Sequence, residues 1–185
     1  MTGEQQTQPE PDDKDWTWVL VRRCDECGFA AGEVPRHDLV SLTAEVGRRW
    51  DATWAAAADA DPTRRPRPAV WSPLEYACHV RDVYDLAVFR TALMREQDDP
   101  VFANWDQDAT ALESDYGSTD PAALAPALAS SARAYERALA TVRDEEWTRP
   151  GRRSNGSVFT VDSFTRYVLH DLAHHLTDVT GARWS

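Results

Sequence analysis

Residues 161–181 read VDSFTRYVLHDLAHHLTDVTG, an amphipathic helix followed by its own stop. Val161, Phe164, Val168, Leu172, Leu176 and Val179 recur at three- and four-residue spacing and form one apolar face. Gly181, which takes left-handed backbone at low cost, ends the helix. His170 and His174 lie roughly opposite the apolar face, beside Ser163, Tyr167 and Thr177, whereas His175 falls nearer the apolar side. Side chains four apart on a helix are neighbours, about 5–6 Å apart at Cβ. Two imidazoles so placed can converge on one cation. A solvated histidine face would read the same way, so a third ligand from another helix is needed to make a metal site.

Three more helices are written nearby. Leu39, Leu42, Val46, Trp50, Thr53 and Ala57 mark one face of a helix from about Asp38 to Ala58. Ser72-Pro73-Leu74-Glu75 is a capping box with proline at the first helical position, and it opens a helix running to about Gln97. Tyr76, Val80, Val83, Leu86, Ala87 and Met94 share its inner face, and His79 lies in the same sector. Asp120-Pro121 starts a further helix whose buried face is Leu124, Leu128, Ala132, Tyr135, Leu139 and Val142, with a kink or a later start expected at Pro126. The proline-rich stretch 59–70, the aperiodic stretch 98–118 and the Asn155-Gly156 turn region 149–160 read as loops.

The expected fold is therefore all-α, a four-helix bundle over residues 38–181. Residues 16–37 form a short irregular N-terminal extension, in which WTWVLV reads as β-like and CDECGF carries a Cys-x-x-Cys turn. Residues 1–15 read as a disordered, acidic tail.

Composition narrows the function classes. A formal net charge of −11 repels phosphate backbones and argues against nucleic-acid binding. No apolar run reaches membrane length and no signal peptide is evident, so a cytoplasmic protein is expected. Three cysteines are too few, and odd in number, for a disulfide-stapled domain. Lys14 is the only lysine against abundant arginine, a bias that fits a GC-rich genome.

WSPLEYACHVRDV at 71–83 and LHDLAHHLTDV at 169–179 resemble the second- and fourth-helix segments of the DinB-like superfamily of metal-binding four-helix bundles. The resemblance covers about Asp38 to Gly181. FANWDQDA and CDECGF are similar to words found in an actinobacterial branch of that family. Carried over position by position, the resemblance implies His79, His170 and His174 as metal ligands, with zinc or nickel as the cation. It also implies a thiol-dependent S-transferase or isomerase acting on a small electrophile, with a low-molecular-weight thiol such as mycothiol as cosubstrate. Many relatives follow the second late histidine with a basic residue and Gly-Gln. Here His174 is followed by His175-Leu176-Thr177-Asp178, a departure that touches the surroundings of the site more than its ligands.

Other residues are weaker candidates. Asp82, one turn after His79, could orient a ligand. Ser163 and Tyr167 share the His170 face and could meet substrate, and Arg152 and Arg153 could grip a carboxylate. Trp105 and Asp106 lie in a loop able to cover the cleft. Cys24 and Cys27 read as half of a second zinc site, with His37 as a further ligand, as a redox pair, or as two structural thiols. Cys78 projects about 100° away from His79 and is not counted as a ligand. Two alternatives stand beside the transferase. One is a non-catalytic metal-binding or stress-associated bundle, associating as a homodimer through a helix face. The other is a metal-dependent hydrolase, for which no base is evident because Glu75 is occupied by the helix cap.

Overall fold

Local signals in the sequence set the helix boundaries. In the computed structural model, which describes residues 15–57 and 61–184, α1 spans Leu39–Ala57 and α2 spans Pro73–Glu96. A short strand β1 (Val101–Phe102) and helix α3 (Gln107–Glu113) follow, then α4 (Pro121–Ala140), β2 (Pro150–Arg153), β3 (Val158–Thr160) and α5 (Val161–Thr180). The Ser72 hydroxyl accepts from the Glu75 N–H at 3.2 Å, and the Glu75 carboxylate accepts from the Ser72 N–H at 2.8 Å. Gly181 stops α5 in left-handed backbone at φ 71°. The later start expected at Pro126 does not occur: α4 begins at Pro121 and runs through Pro126. The missing N–H would have served the carbonyl of exposed Ala122, which water can satisfy.

The four long helices form a bundle in which α4 and α5 each pack against both α1 and α2. Consecutive helices α1 and α2 meet only sparsely and sit diagonally. Trp50 of α1, 1% exposed, ties the interior together by donating its indole N–H to the Leu172 carbonyl at 3.0 Å. Among the described residues no helix is long and apolar enough to cross a membrane.

Three expectations are corrected. Residues 98–118 and 149–160 are not plain loops. They supply β1, α3 and the β2–β3 hairpin of a three-stranded sheet ordered β1-β2-β3, with β1 parallel to β2 and β2 antiparallel to β3. The predicted Asn155-Gly156 turn closes that hairpin, with Gly156 at φ 96°. Residues 16–20 are a 3-10 turn, not a strand, because Asp15 caps them by accepting from the Thr17 N–H at 2.9 Å. The expected disordered tail lies outside the described residues except for Asp15, which belongs to that cap.

The N-terminal extension lies along α5. Arg166 donates to the carbonyls of Ala31 and Val34, and Arg36 pairs with Asp162 at 3.0 Å. This layer covers the side of α5 that its own periodicity leaves polar, so α5 is covered on both faces.

Candidate metal centres

His79, predicted to face inward, is fully buried, and neither of its ring nitrogens has a hydrogen-bond partner among the described residues. Its Nε2 lies 3.7 Å from Asp171 Oδ2, too far for a hydrogen bond. Its ring meets that of His175 edge-on at 4.8 Å. Asp171 also reaches His175 Nε2 at 3.1 Å, while His175 Nδ1 meets Asp178 Oδ2 at 2.8 Å. One ligand atom each from His79, Asp171 and His175 lies within 4.8 Å of the others.

Burial sets the electrostatics of this group. It pushes the His79 pKa down, against the partial support of Asp171. Burial also opposes charge on His175, but Asp171 and Asp178 outweigh it and raise the imidazole to about 9. Burial would raise the Asp171 carboxyl, yet His175 and His79 hold it well below the ordinary carboxylate range. Two nitrogens and a carboxylate suit a late divalent cation and leave positions of its coordination sphere open. The two unpartnered His79 nitrogens fit such a group, since a buried imidazole without a partner is costly.

His170 and His174 belong to a second group. His174 Nδ1 lies 3.7 Å from Cys24 Sγ, and His170 Nε2 lies 3.8 Å from Cys27 Sγ. The four ligand atoms all fall within 4.8 Å of one another. Both cysteines are 0% exposed and His170 is 4% exposed. Burial, with His174 beside it, lowers His170 to about 4, and burial lowers His174 as well. Burial, with Cys24 adding to it, pushes the Cys27 thiol up to about 12. The Trp16 ring packs against both imidazoles, 5.5 Å from that of His170 and 5.2 Å from that of His174.

The expected triad of His79, His170 and His174 is thus corrected. The structure sorts the three histidines into two groups, because positions 170 and 174 point about 100° away from 171 and 175 around α5. Asp171 and His175 were missed as candidate ligands. Their signal was present: they repeat the four-residue spacing one position along, with a carboxylate first. His37, proposed to join the cysteines, is instead on the surface, 3.6 Å from Asp38. Cys78 is buried and its thiol faces the Tyr116 carbonyl, away from both groups, as expected.

A cavity of about 840 Å³ opens beside both groups, edged by Asp171 and His175 of the first and by His170 and His174 of the second, with Arg90, Arg153 and Tyr167 in its wall. Trp105 of the long loop stacks on His79 at 5.3 Å between ring centres and 12° between planes. Arg153 lies over the Tyr167 ring at 4.6 Å, and its Nε is buried without a hydrogen-bond partner among the described residues. Arg90, 5% exposed, donates to the Ala103 carbonyl at 2.7 Å, and burial followed by the nearby Arg153 lowers its pKa to about 10. Neither arginine makes an ion pair among the described residues.

The remaining candidates have other partners. Asp82 accepts from the Tyr116 hydroxyl and from Arg81, so it does not orient His79. Ser163 closes the α5 capping box with Thr160. Arg152 is held by Asp99 at 2.8 Å, and Asp106 caps α3. Glu75 is occupied by the α2 cap and by Arg65, as expected.

A sequence profile described as the DinB superfamily matches residues 42–179. YfiT from Bacillus subtilis, described as a probable metal-dependent hydrolase with an unusual four-helix bundle topology, superimposes with a TM-score of 0.69. The match covers 79% of this chain and 86% of that one at 18% identity, a likeness of fold. No curated protein matches the sequence.

Proposed function

The chain belongs to the DinB superfamily, and we propose that it is a divalent-metal-dependent enzyme acting on a small molecule, with His79, Asp171 and His175 as the ligands. The observation that carries this reading is the fully buried His79 ring, unpartnered among the described residues, with its Nε2 3.7 Å from the Asp171 carboxylate and its ring against that of His175. Zinc or nickel suits two imidazoles and a carboxylate. Such a cation, when bound, supplies Lewis acidity that lowers the pKa of a thiol or water at its open position.

The reaction we assign is transfer or isomerisation dependent on a low-molecular-weight thiol of the mycothiol type. The cavity is in the range that encloses a drug-sized ligand and has room for a thiol beside a second small molecule. Arg90 and Arg153 give it a cationic wall able to hold a carboxylate or other anionic group by charge-assisted hydrogen bonds. Trp105 shields the His79 side from water, and Asp178 fixes the His175 ring so that its Nε2 faces Asp171. Hydrolysis is the second reading, favoured by the description of the structurally similar YfiT.

Cobalt-loaded, full-length protein is the test. Addition of a small thiol is expected to produce a new sulfur-to-metal charge-transfer band that His79→Asn abolishes. Saturating thiol without any spectral change would remove the transferase. Thiol-independent turnover of esters or amides, lost in the same variant, would install the hydrolase in its place.

A further inference from the structure

We propose that Cys24, Cys27, His170 and His174 bind one zinc ion in a closed structural site that fastens the N-terminal segment to α5. This inference is independent of the function assigned to His79, Asp171 and His175.

The distances fit a shared cation. With zinc–sulfur bonds of about 2.3 Å and zinc–nitrogen bonds of about 2.0–2.1 Å, a tetrahedral site separates sulfur from nitrogen by about 3.6 Å. The two cross-segment separations are 3.7 and 3.8 Å. The ligand set is two thiols three apart on a turn and two imidazoles four apart on a helix, the donor pattern of a tetrahedral S₂N₂ zinc site.

The backbone is built to present the thiols. Cys24 N–H donates to the Phe29 carbonyl at 3.0 Å, and Gly28 N–H donates to the Cys24 carbonyl at 2.8 Å. The Phe29 N–H points at Cys27 Sγ from 3.4 Å, a donor that stabilises a thiolate. Gly28 sits at φ 82°, and a Cβ there would lie 2.4 Å from the Trp184 carbonyl oxygen, so only glycine closes this turn. Trp184 also donates its backbone N–H to the Cys27 carbonyl at 2.8 Å. His174 turns its other nitrogen to Glu26 Oε2 at 3.5 Å, the carboxylate–imidazole arrangement that orients a metal ligand.

The four side chains fill a tetrahedral coordination sphere, so this site has a structural form where the three donors of the His79 group leave an open one. Binding replaces the two thiol protons, which pass to solvent, and the two thiolates neutralise the dication.

The test uses full-length protein purified under reducing conditions, with His79→Asn removing the other group. One zinc per chain is expected to remain. Its X-ray absorption fine structure should fit two sulfurs and two nitrogens, and adding Cys27→Ser should abolish it. In the wild type, Cys24 and Cys27 should resist alkylation until a chelator removes the metal, a readout that needs no variant to fold. A sulfur-free shell, free alkylation of both thiols in zinc-replete protein, or a Cys24–Cys27 disulfide in the protein as isolated would each overturn the assignment.

Discussion

His170 and His174 face the thiols of the N-terminal segment, whereas Asp171 and His175, one residue further along the same helix, face His79 of α2, and all four edge the cavity. The two pairs share one spacing and lie on one helix. They differ in what the rest of the chain brings to them. The first pair meets two buried thiols, which with it make a full set of four donors, and the rings of Trp16 and Trp18. The second meets a histidine with no hydrogen-bond partner among the described residues and a stacked tryptophan, beside about 840 Å³ of space walled by Arg90 and Arg153. Donor spacing on a helix therefore fixes only that ligands can converge. Whether a site is closed or open is decided by elements distant in sequence.

That contrast makes stability and activity separable. Cys27→Ser is expected to destabilise the protein by on the order of 4 kcal/mol, the scale of losing a structural metal. Residues 16–37 should become the first target of limited proteolysis. His79→Asn should lower turnover by more than about 100-fold, since even outer partners of a ligand cost 10–100-fold, while the proteolysis pattern stays that of the wild type. Denaturant melts and limited digestion of both variants make the comparison. Equal stability losses would merge the two groups into one functional unit.

A smaller effect belongs to the cavity wall. Arg153→Met removes a charge-assisted contact worth about 1.5–3 kcal/mol, so affinity for an anionic substrate should fall roughly 10- to 100-fold. Metal content should not change. A KM unaffected by the substitution would place the anionic group elsewhere.

The smallest effect concerns the non-metal fastening of the extension. Burial would raise the Asp162 pKa, but Arg166 and Arg36 outweigh it and hold the carboxyl below its ordinary value. A carboxyl depressed in the folded state stabilises the protein fully above its unfolded pKa of about 3.9. That contribution is lost as pH falls through the lower folded value. Asp162→Asn should therefore cost about 1 kcal/mol at neutral pH, with the gap to wild type closing below about pH 4. Urea melts across that range check the sign.

The four bundle helices could be read closely because their signals are local. The Ser72–Glu75 box, the Asp120-Pro121 start and the Gly181 stop lie where the structure puts the helix ends. The inward placement of His79 followed from the same periodicity. The sorting of the other histidines did not, because a helical wheel describes one helix and not what lies across from it. His170 and His174 looked solvated or cleft-facing, and the extension that buries them comes from more than 140 positions earlier in the chain. The 3-10 turn at Trp16–Leu20 escaped for a related reason: alternating tryptophans resemble a strand until Asp15 is seen to cap them.

The diagonal seating of α1 and α2 bears on how the chain emerges during synthesis. Neither helix offers the other much surface, so α1 must wait for α4 and α5 before its apolar face is covered. The Cys24–Cys27 turn waits longer still, for imidazoles some 143 to 150 positions downstream. Until the last helix leaves the ribosome, the nascent chain carries an uncovered apolar stripe and two unclaimed thiols, which makes this interval its point of greatest exposure to aggregation and oxidation.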